Sequence, residues 1–377
     1  MSELMNKHSR GPACRTFFLA NVSSLALLGW AVAIDGALAE DGDRPIIWVE
    51  LGGQVEHMTG TSDIFSPPFF DLAAPANLAT MTDAQRPPLY SIGGDGKITF
   101  MPGDTNWVLS ASIRYGRSNG AKHPHYQKAI APFTFYVEGH HGTVAPPYEI
   151  FGDDQTDFRE SHAILDFQAG KDVGLGLFGA HGSSVVSAGV RFAQFTARSD
   201  ATLHARPYYI LGIATVPGKY RLPHQFRKTN AASFDDKRDA QGVGPSLSWD
   251  ASLPVAGNGS NMTLDFNWGA NAAILFGRQH AIVNHQTTGS YYHKYGGVKH
   301  IGGYTHPPVD QNRSRTVMIP NVGGFAGVTF RYVDAKISLG YRGDFFFGAR
   351  DGGIDTAHRE NVGFYGPFAT ISVGIGG

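Results

Sequence analysis

Residues 264–272 read Leu264-Asp265-Phe266-Asn267-Trp268-Gly269-Ala270-Asn271-Ala272, an unbroken alternation of apolar residues with polar or small ones. In a β-strand, successive side chains point to opposite faces. Leu264, Phe266 and Trp268 therefore share one face, while Asp265 and Asn267 share the other. The stretch predicts a strand with one apolar and one polar face.

The same alternation returns along the chain and predicts ten strands, with eight or twelve as alternatives. The other nine lie near 47–56, 97–101, 107–115, 162–169, 186–192, 246–253, 322–330, 336–347 and 365–375. Long predicted loops at 58–95, 117–160, 204–230 and 284–312 alternate with short turns at 102–104, 174–183, 256–259 and 333–335, and a last loop covers 349–360. Long extracellular loops with short periplasmic turns are typical of transmembrane antiparallel up-and-down β-barrels.

The composition narrows the possible functions. The chain has 377 residues, of which 31 are Lys or Arg and 32 are Asp or Glu, so the formal net charge is −1. This balance argues against a nucleic-acid partner, which requires a basic surface. Charged residues make up only 17% of the chain, aromatic residues make up 12%, and 48 residues are glycine. Few charges with many aromatic residues are typical of a membrane barrel with aromatic girdles.

The N-terminus has the pattern of a secretory signal peptide. Basic residues precede a mostly apolar stretch at 16–34, and Ala37-Leu38-Ala39 fits a cleavage site. We therefore expect a signal peptide at 1–39 and a barrel domain at 40–377, located in the outer membrane of a Gram-negative bacterium. A retained signal anchor is the alternative. Because Cys14 lies in the removed segment, no disulfide or thiolate metal site is expected.

Several short blocks resemble the Legionella-type major outer membrane protein family. They are Asp166-Phe167-Gln168-Ala169-Gly170, Ala188-Gly189-Val190-Arg191-Phe192-Ala193, Gly242-Val243-Gly244-Pro245 and Gly340-Tyr341-Arg342-Gly343. The resemblance covers about residues 46–377. It implies an outer-membrane location and a pore-forming function, and it supplies no catalytic residues.

The polar residues on the predicted inner face are the candidate site. They are Glu50, Gln54, Glu56, Arg114, Asp166, Arg191, Asp250, Asp265, Asn267, Asn271, Lys336, Arg342 and Asp344. In a water-filled lumen these residues set ion selectivity. In a plugged lumen, the acids and bases pair and hold the wall together instead. Roughly eight strands leave an interior just filled by side chains and roughly 16–18 leave a wide channel, so ten strands leave both alternatives open.

Histidines and tryptophans suggest two further features. His123, His125, His140 and His141 share one predicted loop, and a second group lies in or near another, at His280, His285, His293, His300 and His306. Histidine is a common metal ligand, but no spacing here matches a zinc motif, so we expect surface histidines, no metal and no other cofactor. The candidates for membrane girdles are Trp48, Trp107, Trp249 and Trp268, although Trp48 falls on a polar face.

The leading function is a porin-like outer-membrane channel for passive diffusion of ions or small solutes. The alternative is a closed structural or surface-interaction (adhesin-like) barrel that acts through its external loops. Catalysis is not expected, because the chain has no Gly-x-Ser-x-Gly elbow, phosphate-binding loop or His-Glu-x-x-His motif. The expected partners are outer-membrane lipid, lipopolysaccharide and the barrel assembly machinery. A soluble β-sandwich is the competing fold, but it does not need long loops on one side only.

Overall fold

A computed structural model describes a large part of the chain. The described residues are 46–59, 90–102, 105–118, 123–137, 140–174, 182–209, 214–215, 221–222, 225–257, 262–295, 298–353 and 356–376. The predicted signal peptide and most of the predicted loop 58–95 lie outside these residues. Within them, no helix has the length and apolar character that crossing a membrane requires.

Regular structure in the described residues is β-strand. The strands are β1 Ile47–Thr59, β2 Tyr90–Phe100, β3 Trp107–Ser118, β4 His123–Val137, β5 His140–Asp172, β6 Ser183–Tyr209, β7 Ala214–Thr215, β8 Arg221–Leu222, β9 Gln225–Gly257, β10 Met262–Tyr295, β11 Val298–Tyr332, β12 Ala335–Asp351 and β13 Arg359–Ile375.

Ten of these strands form one closed antiparallel barrel. Hydrogen-bonded neighbours follow the order β1-β2-β3-β5-β6-β9-β10-β11-β12-β13, and β13 pairs back onto β1. Each wall strand therefore has a partner on both sides, which removes the exposed edges of an open sheet. β4 extends the pairing of β5, and β7 and β8 form a separate small hairpin. The predicted all-β up-and-down barrel of ten strands is confirmed.

The outer face of the wall carries an apolar band. Leu247 of β9 and Phe276 of β10 are typical, with 63% and 57% of their surfaces exposed. On β10 the outward apolar side chains run from Met262 to Phe276, and exposed Arg278 follows. This apolar segment exceeds the ~9–11 residues that a tilted strand needs to cross a bilayer. The band thus has the height of a membrane.

Three of the four tryptophans proposed as girdle residues lie on the outer wall, and one does not. Trp107 and Trp249 are 52% and 36% exposed near the short turns, and Trp268 contacts Trp249 edge-on at 6.3 Å between ring centroids. Trp48 is instead buried inside the barrel. The girdle prediction is wrong for Trp48, because β1 pairs with its neighbours in a register that turns the polar-face positions inward.

Strand lengths are the main departure from the sequence prediction. Five adjacent strands, β5, β6, β9, β10 and β11, have 27 to 35 residues, whereas strands of about membrane length were expected. Most of 284–312 is a paired hairpin of β10 and β11 rather than an irregular loop, and much of 117–160 is β4 and β5. β2 also begins at Tyr90, not near Lys97. The interstrand ladder satisfies these backbone groups well beyond the apolar band.

The long strands form what we call the projecting sheet. It consists of the parts of β5, β6, β9, β10 and β11 that lie beyond the apolar band, past Ser161, Gln194, Gln241, Arg278 and Thr316. The barrel therefore has two distinct ends. The turn end holds the short connections, such as the turn at Val333 and Asp334. The loop end carries the projecting sheet.

Candidate functional site: the barrel lumen

Strand pairing places all thirteen polar candidates on the inner face of the wall. Residues directly opposite each other on neighbouring strands point the same way, so Asp166 and its partner Arg191 both point inward. The same parity runs through every wall pairing. The lumen is therefore lined by charged and amide side chains, and their contacts decide what it can do.

At the turn end the lumen is accessible to water. Lys97 of β2 faces Asp250 of β9 across the barrel with 3.8 Å between Nζ and Oδ2, and both side chains are more than one third exposed. Lys336 lies over the ring of Trp48, 3.4 Å from its centroid. Such an ammonium is attracted to the negative face of the indole. Inward-pointing Trp48 thus acts as a partner for a lumen cation.

An ion-pair network crosses the middle of the lumen. Arg191 of β6 donates to both carboxylate oxygens of Asp166, at 2.6 and 3.0 Å. It also donates to Asn271 at 2.6 Å and to Asn321, and it lies 4.0 Å from Asp344 of β12. Asp344 is the bridge, because it accepts a hydrogen bond from Arg114 on β3. These contacts are charge-assisted, and those made to Asp344 join strands on different sides of the barrel.

A second set of contacts lies beside this network. Arg342 of β12 forms an ion pair with Asp95 of β2 at 3.4 Å. The amide of Gln54 donates to the backbone carbonyls of Arg342 and Gly366, at 3.2 and 3.3 Å. Buried Gln54 therefore ties β1 to β12 and β13. With the Arg114–Asp344 pair, these contacts occupy the cross-section of the lumen.

An aromatic layer follows toward the loop end. Phe195 of β6 contacts Phe346 of β12 at 4.8 Å and Phe364 of β13 at 5.9 Å between ring centroids. His162 of β5 lies against Phe364 from the facing wall, at 3.8 Å. All four side chains are buried. Apolar rings that meet across a channel exclude water, which is how hydrophobic constrictions close a pore.

Another ion cluster lies beyond the aromatic layer. Arg350 of β12 contacts Glu160 of β5 on the opposite wall and donates to Glu360 of β13 at 2.9 and 3.1 Å. Their side chains are 8% exposed or less. In the described conformation, the lumen is closed by two ionic layers with aromatic rings between them.

The structure brings some candidates together and leaves others apart. Arg114, Asp166, Arg191, Asn271 and Asp344 form the central network. Three of the remaining candidates make separate contacts: Glu50 accepts a hydrogen bond from Ser372, Asn267 contacts Thr329, and Glu56 pairs with His162. Asp265 is buried, and one of its carboxylate oxygens has no hydrogen-bond partner among the described residues.

Sequence reasoning missed several lumen residues, namely Asp95, Lys97, Glu160, His162, Phe195, Arg350, Glu360 and Phe364. Glu160 was assigned to a predicted loop, as was Arg350, because their strands continue beyond the apolar alternation. His162 lay on the polar face of its predicted strand but was not among the candidates. Extending the inward parity of each strand would have found most of them.

A shallow pocket of about 460 Å³ lies on the projecting sheet. Asp157, Asp200 and Asp235 line it in cross-strand register. Burial, together with the charge of Asp235, raises the pKa of the Asp200 carboxyl. Within the described part of the chain, no three His, Cys, Asp or Glu side chains are placed to hold a metal ion. The side chains of His123, His125, His140, His141, His293, His300 and His306 lie outside the described set.

No protein-family model and no curated protein matches the chain, so the resemblance to the Legionella-type family stays a prediction. Among solved structures, a TodX monoaromatic hydrocarbon channel mutant aligns at 9% identity and a TM-score of 0.22, over 89% of this chain and 91% of that one.

Two related transporters align equally weakly. The P. putida toluene transporter TodX aligns at 10% identity and a TM-score of 0.20, over 90% of this chain and 91% of that one. The Ralstonia pickettii toluene transporter TbuX aligns at 8% identity and a TM-score of 0.20, over 89% of this chain and 90% of that one. Scores of this size do not establish a common fold, and the barrel assignment rests on the strand pairing.

Proposed function

We propose that the chain is an outer-membrane barrel with a narrow, gated lumen that passes ions or small solutes when its cross-lumen contacts separate. The carrying observation is the lining, which is charged at the turn end, in the central network and in the cluster of Arg350, Glu160 and Glu360, with the aromatic layer between the last two. This refines the passive porin-like channel expected from the sequence, because the described lumen is closed. The apolar band supports the membrane location, and the expected partners remain lipid, lipopolysaccharide and the assembly machinery. No catalytic step is assigned to the chain.

The desolvation cost of the buried ion pairs supports a gated lumen over a lumen filled only for structural stability. Buried ion pairs cost so much desolvation that apolar residues of similar volume are often equally stable or more stable. A barrel that needs only a solid core gains little from Arg114, Arg191 and Arg350 in its centre. Side chains that form ion pairs when the lumen is closed can bind water and ions when it opens. The charged interior therefore fits a lumen that is hydrated at times.

Single-channel conductance of the purified, refolded protein in a planar bilayer tests this proposal. Asp344→Ala removes the bridge of the central network, so we expect more frequent open events and a shift toward anion preference. Asp334→Ala makes the same charge change at the turn and should behave as the unchanged protein. Bilayers that stay silent for all three proteins, while heat-modifiable gel migration shows folded barrels, would overturn the channel proposal.

The projecting sheet favours a second candidate function, contact with a partner outside the cell. Five strands extend past the apolar band, and their outward faces carry exposed Arg159, Arg198 and Lys237 with neighbouring carboxylates. A pore alone does not require such an extension. Replacing residues 280–313 of β10 and β11 with a short turn should leave conductance intact and abolish adhesion of expressing cells to host or abiotic surfaces. Unchanged adhesion would reject this second function.

A further inference from the structure

Glu56 and His162 face each other inside the barrel, at the edge of the aromatic layer. Glu56 points inward from β1 and His162 from β5, with 3.5 Å between Oε1 and Nε2. Their side chains are 5% and 2% exposed. Among the described residues, His162 is the sole ion-pair partner of Glu56. A buried carboxylate therefore depends for its counter-charge on a group that can gain or lose a proton.

Two glycines make room for this pair. The strands between β1 and β5 carry Gly93 and Gly116 at the positions in register with Gln54 and His162. A Cβ on Gly93 would overlap the carboxylate of Glu56, and one on Gly116 would overlap both Glu56 and His162. The Glu56 side chain thus crosses bare backbone to reach the imidazole. We call this arrangement the glycine niche.

Both partners have hydrogen-bonding capacity left over. Glu56 Oε2 and His162 Nδ1 are buried, and neither has a hydrogen-bond partner among the described residues. The Cβ position of Gly116 lies next to Glu56 Oε2 and 3.0 Å from His162 Nδ1, so the two unused atoms converge on one point. Buried polar atoms without partners are rare and call for an explanation. A shared proton at this pair satisfies the charge of the carboxylate.

The surrounding charges do not supply this counter-charge. The charged inward residues that flank the pair are Asp95 on β2, Arg114 on β3, Glu160 on β5, Arg350 on β12 and Glu360 on β13. Asp95 pairs with Arg342, Arg114 pairs with Asp344, and Arg350 is shared by Glu160 and Glu360. On β6 the facing residue is Phe195, and on β1 His57 points outward and stacks on Tyr365. Among the side chains that the structure describes, no arginine forms an ion pair with Glu56.

His162 also belongs to the contact that closes the lumen. Its ring lies 3.8 Å from that of Phe364 on the far wall, and Phe364 stacks on Phe195. An imidazolium is attracted both to the carboxylate of Glu56 and to the face of an aromatic ring. A neutral imidazole loses the attraction to Glu56 and leaves a buried charge unpaired. Protonation therefore favours the arrangement in which the rings meet.

We propose that Glu56 and His162 form a buried proton-binding site whose occupancy stabilises the closed lumen. The gating effect rests on the proposed channel function, whereas the proton site does not. When the proton is bound, His162 joins Glu56 on β1 to Phe364 on β13. When it is lost, the unpaired carboxylate draws water into the glycine niche and the aromatic layer separates. Histidine charge changes in the range of about pH 5 to 8, so closure weakens as the pH rises through this range.

Conductance against pH tests the proposal in the refolded protein. We expect the open probability of the unchanged protein to rise severalfold from about pH 5 to about pH 8, because the proton that favours closure is lost. His162→Gln cannot be protonated, so its open probability should be high and independent of pH. Glu56→Gln removes the buried charge and should also abolish the dependence. His280→Gln changes an exposed histidine bonded to Asn312 and should keep the normal profile.

A second measurement separates the proton site from the channel. Thermal unfolding in lipid vesicles should show stability falling between pH 5 and pH 8 for the unchanged protein and for His280→Gln. The fall should be absent in His162→Gln and in Glu56→Gln, and either variant suffices if the other does not fold. If no variant conducts but these stability profiles hold, the channel proposal fails and the proton site stands. If the profile of a folded His162→Gln matches that of the unchanged protein, the proton site is wrong.

Discussion

Single residues in the lumen act through partners that lie far away in sequence. Arg191 and Asp166 are cross-strand neighbours, but Arg191 also reaches Asn271 on β10, Asn321 on β11 and Asp344 on β12. Each of these groups has given up its hydration, so its stability depends on the others. The energetic effect of one substitution is therefore set by the partners that it leaves behind.

Removing only one partner of the Arg191–Asp166 ion pair should lower the stability of the barrel markedly. We expect Asp166→Leu to lower the free energy of unfolding by ~3–5 kcal/mol, because Arg191 is left buried and underpaired. The double variant Asp166→Leu with Arg191→Met should recover most of that loss. Urea unfolding followed by tryptophan fluorescence measures both. Asp157→Asn, which affects the exposed partner Arg159, serves as the control and should cost less than ~1 kcal/mol.

Val333 is strained in the turn between β11 and β12. Its φ is 50°, in the left-handed region that a β-branched residue rarely adopts. Val333→Gly should raise the free energy of unfolding by ~1 kcal/mol, because this conformation costs a non-glycine residue ~1–2 kcal/mol. Equilibrium unfolding of the refolded barrel checks the sign. A loss of stability would show that the exposed Val333 side chain contributes more through contact with lipid than its backbone costs.

For a single residue, the sequence predicts whether the side chain points inward or outward, but not which side chain it contacts. Whether Arg114 or Asp344 points inward follows from the two-residue period of a strand, which is local. That they meet depends on the register of every strand around the barrel, and no local pattern encodes it. His162 shows the same limit, because its proposed role depends on its contact with Glu56. Glu56 lies on another strand, and its side chain reaches His162 across Gly93 and Gly116.

The surroundings of each strand explain why the sequence analysis underestimated the strand lengths. The alternation of apolar and polar residues arises where one face contacts lipid and the other contacts the lumen. Beyond the apolar band that distinction fades, so residues 284–312 carry Tyr, His and Gly without a clear period. The ladder continues there because backbone pairing does not need an apolar face. The short segment at Lys97 was underestimated for a related reason, since Gly93, Gly94 and Gly96 interrupt the pattern of β2.

The projecting sheet should become more stable as the pH falls. Asp157, Asp200 and Asp235 lie directly opposite one another on β5, β6 and β9, and burial with these like charges raises the pKa of Asp200. A carboxyl whose pKa is raised on folding destabilises the fold when ionised, and this cost disappears as the pH drops through that pKa. Asp200→Asn should therefore stabilise this sheet at neutral pH by ~0.2–1 kcal/mol.

Hydrogen exchange of the β6 amides measures this effect locally. Protection near Asp200 should increase on acidification in the unchanged protein and should be independent of pH in Asp200→Asn. Exchange rates are to be corrected for the intrinsic effect of pH. Ser199→Asn, whose side chain points to the other face, provides a control for the introduced amide. A β6 whose protection falls on acidification would contradict the prediction.

The whole molecule is organised by the apolar band around a closed wall. Its outer face is apolar on all sides, its inner face carries two ionic layers with the aromatic layer between them, and the projecting sheet extends from one end only. This division predicts a depth-dependent response to charge on the outer face. It also distinguishes a membrane barrel from a soluble one, in which position along a strand has no such effect.

Arginine substitutions at two heights test the membrane span. Ala270→Arg lies in the middle of the band on β10 and should lower the free energy of unfolding in lipid by ~2–4 kcal/mol, whereas Thr316→Arg, beyond the band on β11, should cost less than ~1 kcal/mol. Both positions are exposed and point outward, so packing loss is small. Equal costs at the two heights would argue against the proposed membrane position.

The pairing of β1 with β13 sets the order in which the chain acquires its structure. Ile47 lies opposite Ile375, so the barrel cannot close until nearly the whole chain is present. The hairpins of β9, β10 and β11 join neighbours in sequence, so we expect them to form early, since local contacts require little loop closure. Until the last strand arrives, β1 and β13 expose unpaired edges that can join other chains. We therefore expect barrel closure, rather than weak native contacts, to be the step at which this protein is most prone to aggregate.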